Sequence, residues 1–177
     1  MRNVGFLVAG LLLLLVQANL FRVLSWTHIP GLIPSLVLPL IVFMGVHEYS
    51  LVRGAAVAFV LGYATDLIGI APVGLYTFTS VATFLLARSA GVRLAAQTMW
   101  MQVVLAFSFA LVHSITILVL LAIFGRGKDG WVPRLLYPLA LPNALSTSVV
   151  APLIFYLAQR LHIATSTSGR PDLGVHP

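Results

Sequence analysis

The strongest constraint on this chain is a succession of long apolar runs separated by short polar breaks. A helix needs ~20 consecutive apolar residues to cross the hydrocarbon of a bilayer, and runs of that kind make lipid the solvent. Composition agrees: 60% of the 177 residues are hydrophobic and 8% are charged. A soluble domain carries about 25% charged residues, and mean hydropathy here is +1.04. The chain reads as an integral membrane protein built from helices alone.

The pattern predicts six helices, at about Val4–Leu24, Leu32–Val46, Leu51–Ile68, Pro72–Ala90, Gln97–Phe124 and Leu135–Leu161. The first begins after Arg2 but is too long for a signal-peptide core and lacks a small-residue exit, so it is read as a span. The second carries Pro34 and Pro39 and is expected to be kinked or broken. If it were re-entrant, five spans would remain. The fifth exceeds a straight span and is expected to tilt. The sixth carries Pro138, Pro142 and Pro152 as breaks. Residues 1–164 form one six-helix transmembrane domain in this reading. Residues 165–177, rich in Ser, Thr, Gly and Pro, form a disordered tail. Six spans put both termini on one side, with Arg2, Arg53, Arg88, Arg93, Arg160 and Arg170 there and Arg22, Arg126, Lys128 and Arg134 opposite. That bias points to cytoplasmic termini. The net charge of +6 is spread singly at helix ends, which fits lipid headgroups as partners, and no nucleic-acid motif is present. Trp26, Trp100 and Trp131 fall near span ends, as an interfacial belt requires.

Within the third helix Gly54, Ala58, Gly62 and Asp66 recur every fourth residue and share one stripe. Small residues on such a stripe let a neighbouring backbone come close, for packing within the chain or against a partner. Asp66 ends the stripe, and Gly69, Pro72 and Gly74 follow as a turn, with Pro72 expected in the first turn of the next helix. At ~1.5 Å per residue Asp66 lies about 22 Å from Leu51, nearer a surface than the midplane. A capping or interface role is therefore favoured over an ion relay. Because a carboxylate at a helix C-terminus opposes the dipole, a specific donor is expected, with Arg22, Arg126 and Arg134 as candidates.

Other polar groups admit two uses each. His113 could join Asp66 and a serine in a triad, but no nucleophile-bearing turn is present and an interhelical hydrogen bond is the simpler use. Asn143, Ser146, Thr147 and Ser148 could line a cavity, or their hydroxyls could bond carbonyls freed by Pro142 and Pro152. Glu48 and Arg53 read as interface charges. The chain has no cysteine and four acidic residues, and its histidines show no ligand spacing. No metal, no cofactor and no enzymatic activity are expected.

The segment from Pro34 to Phe78, and within it Gly62, Asp66, Pro72 and Gly74, resembles the MreD family of bacterial rod-shape determination. Ser35 departs from the aspartate that many members carry after the proline. The resemblance implies a non-enzymatic, multi-pass subunit of the inner membrane that partners MreC. Through MreC it would regulate RodA and its class B penicillin-binding transpeptidase beside MreB filaments. The family's helices are also similar to the substrate-binding subunits of energy-coupling-factor vitamin transporters, which supplies the alternative function.

Overall fold

The computed structural model describes residues 2–24, 34–47, 50–69, 72–90, 99–124 and 132–167. Among these residues every element is helical: α1 Arg2–Leu24, α2 Val37–His47, α3 Leu51–Ile68, α4 Leu75–Ser89, α5 Met99–Phe124 and α6 Val132–Thr167. Among the described residues three apolar stretches are long enough to cross a membrane, namely Leu51–Ile68, Trp100–Ile123 and Leu141–Ile163.

The short helix α2 lies at the centre and touches each of the others. Every residue from Val37 to Val46 is buried, as expected of a helix that is hydrophobic all round. Its 11 residues rise about 16 Å, roughly half the ~30 Å of a bilayer core. Pro34 precedes the helix and Pro39 is its third residue, so the expected kink does not arise. The amides of a first turn have no partner four residues back, and a proline there costs no bond.

Glycines set how closely α4 is held. A Cβ on Gly62 of α3 would sit 2.7 Å from the Thr77 Cα and 2.8 Å from the Tyr76 carbonyl oxygen of α4. A Cβ on Gly45 of α2 would sit 2.7 Å from the Ala87 Cβ and 2.9 Å from the Phe84 carbonyl oxygen. Side chains are excluded at both places, so α4 is gripped near its start by α3 and near its end by α2. Gly10 of α1 meets only the flexible end of Leu61. At the far end of α2, Phe43 stacks on His47 at 4.2 Å and packs on Phe6 and Phe155 at 6.2 and 6.1 Å.

Polarity is arranged inside out. Large apolar side chains cover the exposed surface, with Val149 76% and Trp100 80% accessible, whereas Asp66, Thr77, Thr79, Ser80, Thr83, Thr147 and Ser148 are buried. In water that outer surface would be costly; against lipid it is the expected one. The buried threonines remain compatible with the helix because Thr79 and Thr83 donate to the carbonyls of Leu75 and Thr79 at 2.9 and 2.7 Å.

α2 begins at Val37, where the sequence reading placed its start at Leu32, and two other helix assignments differ as well. α6 runs unbroken through Pro138, Pro142 and Pro152 to Thr167, three residues into the expected tail; residues 168–177 lie outside the described residues. α4 begins at Leu75, so Pro72 stands before the helix and not in its first turn.

Candidate functional site

The polar centre of the structure is the corner between α3 and α4. α3 ends conventionally, with the Gly69 amide donating to the Thr65 carbonyl at 2.9 Å. α4 starts after Gly74, whose φ of 101° is left-handed, a conformation that glycine adopts without the Cβ penalty. This choice has a consequence. The N-cap residue ordinarily supplies a side-chain acceptor for the first amides of a helix, and glycine has none.

Asp66 supplies it from the neighbouring helix. Its Oδ2 accepts the amides of Gly74 and Thr77, both at 3.0 Å, together with the Thr77 hydroxyl. Its Oδ1 accepts the Tyr76 amide at 2.8 Å. The side chain is 2% accessible. Charge-assisted hydrogen bonds are stronger than neutral ones, and an anion at a helix N-terminus is favoured by the dipole. The carboxylate thus escapes the unfavourable C-terminus of α3 by serving the favourable N-terminus of α4. Its donors are main-chain amides and one hydroxyl, where arginines were expected; the side chains of Arg22, Arg126 and Arg134 lie outside the described residues.

The rest of the stripe lies on the same buried face of α3. Gly54, Ala58, Gly62 and Asp66 are all buried within the chain, so none of the four is left for a partner surface. Pro72 contributes its carbonyl, which accepts the Leu75 amide at 3.2 Å, and Gly69 closes α3. The site residues of the turn therefore act together, as parts of one helix–turn–helix joint. Chemically, a carboxylate saturated by four donors and closed to solvent holds a backbone in place. Both of its oxygens are engaged, and the group is closed off from solvent.

His113 lies elsewhere. Its Nδ1 is 3.2 Å from the Thr83 hydroxyl, which already donates its proton to the Thr79 carbonyl. The imidazole is therefore the donor, and the bond ties α5 to α4. The imidazole does not meet Asp66 or a serine, so no triad is assembled.

A second joint fixes the start of α2. The Ser35 amide donates to the Thr147 hydroxyl of α6 and the Leu36 amide to the Gln17 side chain of α1, each at 2.9 Å. Here too a helix N-terminus is capped by other helices. Ser146 and Ser148 donate to the carbonyls of Asn143 and Leu145 at 3.0 and 2.7 Å. Pro142 and Pro152 free the carbonyls of residues 138 and 148 instead, so these hydroxyls do not serve the prolines as expected. Asn143 is half-buried on the same helix.

Sequence reasoning did not anticipate Gln17, Gly45 or Thr77. The signals were present: one of two side-chain amides, Gln17 and Asn19, interrupting an apolar run, a glycine amid bulky residues, and a threonine at the third position of a helix. Among the described residues no group of His, Asp and Glu could hold a metal. Glu48, Trp26 and Trp131 lie outside the described residues, and Arg53 is exposed on the first turn of α3.

No family model, no curated protein and no solved structure matches this chain. What fold and site define, among the described residues, is an all-helical arrangement with three membrane-length apolar helices and two joints at which a helix start is capped from other helices.

Proposed function

We propose that this protein is a non-enzymatic scaffold of the bacterial inner membrane that acts in cell elongation in complex with MreC. Through that complex it would regulate RodA and its transpeptidase beside MreB filaments. In this reading all six helices belong to the membrane domain, both termini are cytoplasmic, and α2 is a short span recessed among longer ones. The observation that carries the reading is the joint at Asp66. The residues behind the MreD resemblance, Gly62, Asp66, Pro72 and Gly74, lie at one corner where the carboxylate is consumed in holding α4. That is what a rigid platform requires and what a reaction centre does not.

The alternative, a vitamin-binding transporter subunit, relied on the polar patch at residues 143–148. Thr147 is occupied with the start of α2, and Ser146 and Ser148 bond their own helix, which weakens it. Purification of the tagged protein from native membranes distinguishes the two. Recovery of MreC and cell-wall synthases supports the scaffold; recovery of a transport ATPase pair in their place overturns it.

A further inference from the structure

α1 carries two side-chain amides two residues apart, and they face opposite ways. Gln17 turns inward and accepts the Leu36 amide at 2.9 Å. Asn19, about 200° further round the helix, is exposed. One N–H of its carboxamide donates to the Leu15 carbonyl of its own helix at 2.9 Å. A carboxamide also has a second N–H and an oxygen with two lone pairs.

Depth makes that exposure costly. The midpoint of Arg2–Leu24 is residue 13, so Asn19 lies about 9 Å along α1 from its middle. Half of a bilayer core is ~15 Å thick, which places the amide in hydrocarbon, where a polar group needs a partner. Its neighbours on the same face are Val8, Leu12 and Leu15, all exposed. Together the four are spaced by four, three and four residues, the alternation of a two-stranded coiled-coil seam, in which a single asparagine sets the register. Leucines alone would suit lipid as well as a helix. The asparagine favours a helix that brings a polar group to its own depth.

We propose that this face of α1 is the contact with a second copy of the chain, the two α1 helices running parallel about a twofold axis along the membrane normal. Copies inserted in the same orientation admit no other twofold axis, and it sets each seam residue beside its own counterpart. A carboxamide is its own complement, since the N–H of each copy meets the oxygen of the other. The proposal rests on α1 crossing the bilayer and not on the scaffold role, so failure to recover MreC leaves it standing.

The chain has no cysteine, so single introduced cysteines report the seam. The full chain carrying Leu15→Cys is reconstituted in phosphatidylcholine vesicles and oxidised, with Val149→Cys, exposed on α6, as the control. Leu15→Cys should give a disulfide-linked dimer well above the level of the control. Förster transfer between labelled wild-type copies, diluted with lipid, then gives the dimer dissociation constant. Asn19→Leu, which suits an exposed position in lipid and preserves the fold, should raise that constant about tenfold, the worth of one or two hydrogen bonds between helices in a membrane. Asn19→Gln should raise it by less. Equal cross-linking at 15 and 149 would overturn the proposal, as would absence of transfer at every dilution. So would a dissociation constant unaltered by Asn19→Leu, which would mark a carboxamide served by headgroups and water.

Discussion

Replacing Asp66 by alanine removes the acceptor of four hydrogen bonds at once, and the burial of the three amides among the donors indicates how much each of those is worth. The Thr77 amide is buried, so leaving it unpaired costs about 1–3 kcal/mol. Tyr76 is half-buried and its amide should cost about 1 kcal/mol. Gly74 is exposed, and water can take its amide at little cost. A lost helix cap costs about 1–2 kcal/mol in soluble proteins, which brackets the same range from below. Relief of the buried charge offsets part of the sum. Asp66→Ala should therefore destabilise the protein by about 3 kcal/mol. Asp66→Asn can keep an oxygen at the Oδ2 position, with its donors Gly74 and Thr77, while its amide faces the Tyr76 N–H. It should cost about half as much. Equilibrium unfolding in mixed micelles, followed by circular dichroism, measures both. An Asp66→Ala variant within about 0.5 kcal/mol of wild type, the range of an indifferent surface change, would refute the capping argument.

Gly62→Ala should destabilise by about 1–3 kcal/mol, because the added methyl meets backbone atoms of α4 that cannot step aside. Gly10→Ala should cost less, because a leucine side chain can rotate; parallel unfolding curves compare the two. Gly74→Ala finds open space for its Cβ but requires a left-handed backbone, so it should lose about 1–2 kcal/mol, and Gly74→Asn less, by the same assay. Thr147→Val and Gln17→Leu each orphan one amide at the start of α2 and should each cost about 1–3 kcal/mol. Thr147→Ser should restore most of that stability, which a purely steric role for the threonine would not predict.

The third helix was legible because its signals are local. Ser50 precedes it, Gly69 follows it, and the apolar run between them spans Leu51–Ile68 in both sequence and structure. The small-residue stripe and the turn residues Gly69, Pro72 and Gly74 were legible for the same reason. The central place of α2 was not. In a membrane protein the core and the lipid-facing surface are both apolar, so hydrophobicity alone cannot distinguish a buried helix from one bathed in hydrocarbon. Its prolines misled in addition, since Pro39 breaks a helix only beyond the first turn, and the start of α2 could not be located from composition. In α6, prolines within a continuous helix looked like stops because soluble helices seldom tolerate them. The partners of Asp66 were hidden for a simpler reason: every residue but proline carries an amide, so main-chain donors leave no mark in a sequence.

Amide hydrogen exchange of the wild-type protein in micelles tests most directly whether α3 caps α4. Ser50 makes no side-chain cap at the start of α3, so the amides of Leu51, Val52 and Arg53 serve as an internal reference. The amides of Tyr76 and Thr77 should exchange far more slowly than that reference, at rates resembling the interior of α4. Exchange at 76 and 77 as fast as at 51–53 would mean that Asp66 does not hold the helix it is placed to hold.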